Sequence, residues 1–170
     1  MTDVLDARGL FLALAESQID YIVVGAFAVH AHGFVRTTAD LDIVPRPDLA
    51  NLSRLGEVLA SVGARLWKAS APVNVTDPHK LRRAGLVPLM TDHGRLDILN
   101  VAATAGLPAD YDALRSRALE VDLGGTRVVV IGLDDLIRMK RAAGREQDLA
   151  DIRALTALDD DLAREAGEST

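Results

Sequence analysis

The sequence predicts an α/β (α+β) fold, with short strands flanked by helices and a C-terminal helical pair. Three observations carry this. β-Branched runs stop at glycine, as Tyr21-Ile22-Val23-Val24 does before Gly25. Other segments place apolar residues at helical spacing, such as Leu52, Leu55, Val58 and Leu59. In order, the first half reads strand, helix, strand, helix, the pattern of a small α/β unit.

Each element has a local signature. Asp6 to Gln18 is the first helix, with a broad apolar face of Leu10, Phe11, Leu12 and Leu14. Asp20 sits in the turn to the strand Tyr21–Val24. Gly25 permits a sharp turn or a close backbone approach. Ala26 to His32 is short, Ala-rich and helical, and Gly33 stops it. The strand Asp40-Leu41-Asp42-Ile43-Val44 alternates, so Leu41 and Ile43 share one face and Asp40 and Asp42 the other. Pro45-Arg46-Pro47 ends strand pairing. Asp48 caps a helix from Leu49 to Val62, which Gly63 terminates.

Ala64 to Lys68 reads as an edge strand, and its Trp67 as a core or interface residue. A loop from Ser70 leads to Asp77-Pro78, which opens a short helix through Arg83. Leu86–Met90 and Arg95–Leu99 are strands joined by an Asp92-His93-Gly94 hairpin turn. Asn100 to Pro108 is a small-residue connection, and Ala109 to Arg117 a helix. Leu119–Leu123 and Arg127–Ile131 flank Gly124-Gly125, a second hairpin. Helices Leu133–Ala143, ended by Gly144, and Glu146–Leu158 follow, and the acidic tail from Asp159 is expected to fray.

Length and charge bound the function. A chain of 170 residues, 49% apolar, fits one domain over 1–170, with a core of about 6–131 and terminal helices of about 133–158. The absence of cysteine excludes disulfides and thiolate metal sites. The acidic start lacks the basic region of a secretory signal, and no apolar run approaches a membrane span. A cytoplasmic protein is the expectation. A net charge of −6 argues against gripping long duplex DNA, yet leaves room for a local basic patch or a basic partner.

The residues that could carry chemistry are carboxylates. Asp40 and Asp42 point the same way, with Cα atoms about 6.5 to 7 Å apart. Such a pair can hold a hard cation, because Mg²⁺ takes oxygen ligands from one or two carboxylates and substrate phosphates. An isolated Asp-x-Asp is more often one solvated strand face. Asp97, between Leu96 and Ile98, adds a third carboxylate in a separate apolar strand. His30 and His32 do not share a helix face, and His79 and His93 lie in loops, so no zinc site is expected. No nucleophile elbow or P-loop is present.

The stretch from Tyr21 to Pro45 resembles the nucleotidyltransferase fold of the DNA polymerase β superfamily. The matching features are Gly25-Ala26 after an apolar strand, a short helix, then Asp40-Leu41-Asp42 in an apolar frame. One position departs: Ala26 stands where the family carries Ser or Gly, leaving phosphate contact there to backbone N–H groups. The C-terminal run resembles bacterial minimal nucleotidyltransferase domains, including AbiEii-like toxins, at Lys140, Arg145, Asp148 and Asp151.

The resemblance implies a mixed sheet flanked by helices and Mg²⁺-dependent (or Mn²⁺-dependent) transfer of an NMP from an NTP to a hydroxyl. Two ions would lie between Asp40, Asp42 and Asp97, and Asp97 would serve the ion at the acceptor and assist its deprotonation. Gly25, Ala26, Arg36, Thr38, Lys140 and Arg145 would meet the nucleotide, and Asp148 would orient Lys140 or Arg145. The acceptor would be an RNA or tRNA 3′ end, a protein or a small molecule. A toxin of a bacterial toxin–antitoxin pair, with an antitoxin partner, is one such role. The rival reading is a catalytically inactive protein of this fold that binds nucleotide or a protein partner.

Overall fold

Strands β1 (Tyr21–Val24) and β2 (Asp40–Pro45) pair antiparallel at the centre of one mixed sheet. The computed structural model describes residues 4–70, 73–123 and 125–168. Within them, β2 runs parallel to β5 (Gly94–Leu99), which pairs antiparallel with β4 (Leu86–Thr91) and, beyond it, β3 (Arg65–Leu66). On the other side β1 lies parallel to β7 (Arg127–Val130), and β6 (Leu119–Asp122) closes that edge. The order is β3-β4-β5-β2-β1-β7-β6.

The centre is buried because its strands are apolar where the sheet is covered. All four residues of β1 are buried, as are Leu41 and Ile43 of β2. Helix α1 (Ala7–Glu16) buries Leu10, Phe11 and Leu14, and its cap is Asp6, which accepts the Gly9 N–H. Helix α3 (Leu49–Ser61) buries Leu52, Leu55, Val58 and Leu59, the predicted stripe. Asp48 caps it by accepting the Asn51 N–H. Asn51 is itself buried, and its amide ties the β1 and β2 ends together. Its Oδ1 accepts the Asp20 N–H, and its Nδ2 donates to the Asp20 and Arg46 carbonyls. Helix α2 (Gly25–Ala31) lies between β1 and β2 in sequence, and α4 (Pro78–Arg83) starts at the predicted Asp77 cap.

Four expectations change. The edge strand at 64–68 shrinks to Arg65–Leu66, and Trp67 is only half-buried, with Arg95 and Lys68 against its ring. Helix α5 covers only Tyr111–Arg115, because Asp110 caps it there through the Ala113 N–H. The connection after β5 contains a 3₁₀ turn, Val101–Ala103. The tail does not fray at Asp159: α7 runs from Glu146 to Glu168. Helix α6 (Leu133–Ala143) ends as predicted, with Gly144 left-handed and its N–H donating to the Lys140 carbonyl. Gly124 of the second hairpin lies outside the described residues. Among the described residues no helix is long and apolar enough to cross a membrane.

Candidate active site

The site begins at the glycine that ends β1. Gly25 has a φ of +66°, and a Cβ there would sit 2.0 Å from Oδ2 of Asp42. The backbone therefore turns left-handed at this point and lies flat against the Asp42 carboxyl, which only glycine permits without strain. Sheet register then assembles the acids. Parallel pairing of β2 with β5 sets Asp42 opposite Asp97 and Asp40 opposite Arg95. Side chains two apart share a face, so Asp40, Asp42, Arg95 and Asp97 form one four-charge patch.

Arg95 holds two of these acids. Its Nη1 lies 3.3 Å from Oδ2 of Asp40, and its Nη2 donates to both Asp97 oxygens at 3.1 and 3.2 Å. Its guanidinium carbon lies 3.9 Å from the centre of the Trp67 ring. The Thr38 hydroxyl donates to the Asp40 carbonyl at 2.9 Å and reaches its carboxylate at 3.3 Å. Among the described residues no cation is bonded to Asp42. Burial first, and then the charges of Asp40 and Asp97, push its carboxyl up to about 7, against the pull of Lys140 and Arg145. Burial also raises Asp97, with Asp40 adding to it, and Arg95 opposes the shift.

The opposite wall comes from α6 and α7. Lys140 is 3% exposed, and its Nζ lies 2.7 Å from Oδ2 of Asp151 and 3.2 Å from Oδ1 of Asp148. Arg145 donates from Nε to Asp148 at 2.7 Å but leaves 78% of its side chain exposed. Arg36 closes the group from the loop before β2: its Nε lies 2.9 Å from Oδ1 of Asp151 and its Nη2 donates to Oδ2 at 3.0 Å. The Arg36 N–H in turn donates to Nε2 of His30. Burial pushes the Asp148 and Asp151 carboxyls up, but hydrogen bonds from Arg145 and Lys140, and from Lys140, Gln147 and Arg36, outweigh it. Both acids are held below the usual carboxylate range.

Between these walls lies a cavity of about 370 Å³. All ten residues singled out from the sequence line it: Gly25, Ala26, Arg36, Thr38, Asp40, Asp42, Asp97, Lys140, Arg145 and Asp148. A second, more apolar lobe of about 170 Å³ adjoins it at Gly25 and Asp42, between Val24, Leu99, Met139 and Ala143.

Residues 5–162 match the family described as "Nucleotidyltransferase of unknown function (DUF6036)". The chain belongs to this nucleotidyltransferase family. No curated protein matches the enzyme in sequence. Solved structures share its fold at low identity. The lincosamide antibiotic adenylyltransferase LnuA, in its lincomycin-bound form, is 14% identical with a TM-score of 0.63, over 92% of this chain and 99% of that one. The candidate nucleotidyltransferase TM1012 of Thermotoga maritima is 14% identical with a TM-score of 0.55, over 89% and 90%. An antigenic nucleotidyltransferase-like protein of Paracoccidioides brasiliensis is 17% identical with a TM-score of 0.56, over 88% and 71%.

Sequence reasoning missed Arg95, Trp67 and Gln147 in this enzyme. The signal for Arg95 was present, since it stands two residues before Asp97 in an alternating strand. Trp67 and Gln147 carried none, because only the assembled fold brings them to the site. The face fits hard cations. Its donors are all oxygen, and a guanidinium already rests on two of the three carboxylates. Among the described residues no three acidic, His or Cys side chains form a ready cage.

Proposed function

We propose that the enzyme moves an NMP from an NTP to a hydroxyl of its acceptor, with Mg²⁺ or Mn²⁺, as two ions, held by Asp40, Asp42 and Asp97. One observation carries this reading: the strand register turns three carboxylates onto one face of a polar cavity walled by cations. When bound, the ions would stabilise the attacking and leaving oxygens and lower the pKa of the acceptor hydroxyl. The acceptor oxygen attacks the α-phosphorus, the bond to the pyrophosphate oxygen breaks, and the hydroxyl proton passes to Asp97. A carboxyl raised by burial is a better proton acceptor than an ordinary one.

The phosphates then meet the cationic wall. Arg145 is the exposed cation and Arg36 the half-buried one, each already aligned by an Asp. Lys140 stands behind them as a buried positive charge whose field reaches Asp42. Gly25 lets the backbone approach at the turn, and Ala26, being an alanine, contributes only its N–H. Thr38 fixes Asp40, and Asp148 orients Lys140 and Arg145.

A small hydroxylated molecule is the acceptor we favour. The apolar lobe beside Asp42 could seat a ring, and LnuA, similar over almost its whole length, is an adenylyltransferase of an antibiotic. A tRNA 3′ end, with a toxin role and an antitoxin partner, is the second reading, motivated by the run from Lys140 to Asp151. The test is incubation of the protein with each α-³²P-NTP, Mg²⁺ or Mn²⁺, and in turn an aminoglycoside and lincosamide panel, total tRNA, and lysate protein. Metal-dependent label on one class, lost in Asp42→Asn, supports the reading and picks the acceptor. No label on any class with any NTP rejects it.

A further inference from the structure

The cation that occupies the acidic face belongs to the protein itself. Arg95 bonds Asp40 and Asp97 at once, two of the three carboxylates assigned above to the metal. It reaches them with its two terminal nitrogens only, while its Nε is buried with no hydrogen-bond partner among the described residues. The guanidinium lies on the Trp67 ring, so its position is supported by a surface that is not part of the acid patch. Arg95 sits on Oδ2 of Asp40 and on both oxygens of Asp97, so a divalent ion entering there meets its charge and competes for the same oxygens.

We infer that Arg95 and the divalent metal exclude each other at Asp40 and Asp97, and that a nucleotide phosphate takes Arg95 over when the metal enters. This rests on the metal-dependent reading above. Metal alone must displace a bonded, stacked cation and leave it unpaired. Metal arriving with a triphosphate leaves Arg95 an anionic partner, for which its fork and spare Nε donor suit a phosphate. Arg95 is then a positioning residue that couples metal binding to nucleotide binding.

The coupling gives opposite signs for one substitution, which a merely structural role does not. In Arg95→Met, Mg²⁺ alone should bind about tenfold tighter, because the competing charge is gone. Mg²⁺ with a non-hydrolysable α,β-methylene NTP should bind about tenfold weaker, because a phosphate partner is gone. Both are read by calorimetry on the whole chain. Trp67 is the single tryptophan, and its emission reports the cations on its ring, Arg95 and Lys68; the Arg95→Met comparison isolates the guanidinium's share. Mg²⁺ should change that emission in the wild type and leave it unchanged in Arg95→Met. Arg95→Lys keeps the charge without the fork and should fall between, which holds the test open if the Met variant does not fold. If the wild type binds metal and triphosphate but Arg95→Met shifts neither, or shifts both the same way, this inference is overturned while the function stands. If the wild type binds neither, both fall.

Discussion

At the scale of the residue, Asp42 is held from two sides. Its carboxyl lies against Gly25 and faces two other acids, and burial and those charges move it from the ordinary 3.8 to about 7. The folded state therefore holds a proton between those values that the unfolded chain has given up. The resulting stability is full below about 3.8 and is lost as pH rises through about 7. Each unit is worth about 1.4 kcal/mol, so the window spans a few kcal/mol at most. Asp42→Asn does not titrate. In chelator, its urea midpoint should gain on the wild type from pH 5 to pH 8 and level off above. Parallel profiles of the two proteins would show that the carboxyl is not perturbed. Gly25→Ala acts on the same contact from the other side. The left-handed φ should cost about 1–2 kcal/mol, and the new methyl group would displace the Asp42 carboxylate. Transfer should fall further than stability does; equal activity at saturating metal would show that Asp42 can move aside freely. The sequence made Gly25 legible as a turn. It did not reveal the contact with Asp42, which exists only once β1 and β2 have paired.

At the scale of the element, legibility followed locality. β2 and β5 were readable because alternation is a property of neighbours, and α3 because its cap and stripe lie in one segment. What failed depended on neighbours distant in sequence or on propagation. The exception is α5, which begins late for a local reason, Asp110 acting as its cap. α7 passes through Asp159, Asp160 and Asp161 because extending a helix whose first half is docked needs no new nucleus. The ion group between α6 and α7 also needed the fold. Lys140 was legible as a cleft lysine, and it does line the cavity. Asp148 was legible as a partner of Lys140 or Arg145; the second partner, Asp151, and the burial of both acids emerge only when the helices pack. That changes what removing Lys140 should do. Lys140→Met keeps the bulk but takes one cation from each of two buried carboxylates, which keep Arg145 and Arg36; breaking a buried pair typically costs about 3–5 kcal/mol, and the two arginines should hold the loss at or below that range. A drop in thermal midpoint is expected, with a rise in the Asp148 and Asp151 pKa values. A midpoint within a degree of the wild type would mean that Arg145 and Arg36 satisfy the two acids without Lys140.

At the scale of the whole molecule, metal-free stability and ligand binding work against each other. The strand register collects Asp40, Asp42 and Asp97 on one face, where like charges repel, and among the described residues Arg95 alone forms ion pairs with them. The apolar centre of the sheet, buried behind this face, tolerates that cost. A ligand that neutralises the face should therefore stabilise the entire fold and not the site alone. Binding to the native state only adds about 2.7 kcal/mol at a hundred times the Kd. Mg²⁺ with a non-hydrolysable NTP should raise the thermal midpoint by several degrees, and NTP with chelator should do much less. Asp40→Asn and Asp42→Asn should reverse this order: neither should be less stable than the wild type without ligand, and both should gain little with it. The crossing of the two curves is the diagnostic feature. Variants that lose stability without ligand and keep the full Mg·NTP gain would show that the acids serve the fold and that the nucleotide is held elsewhere.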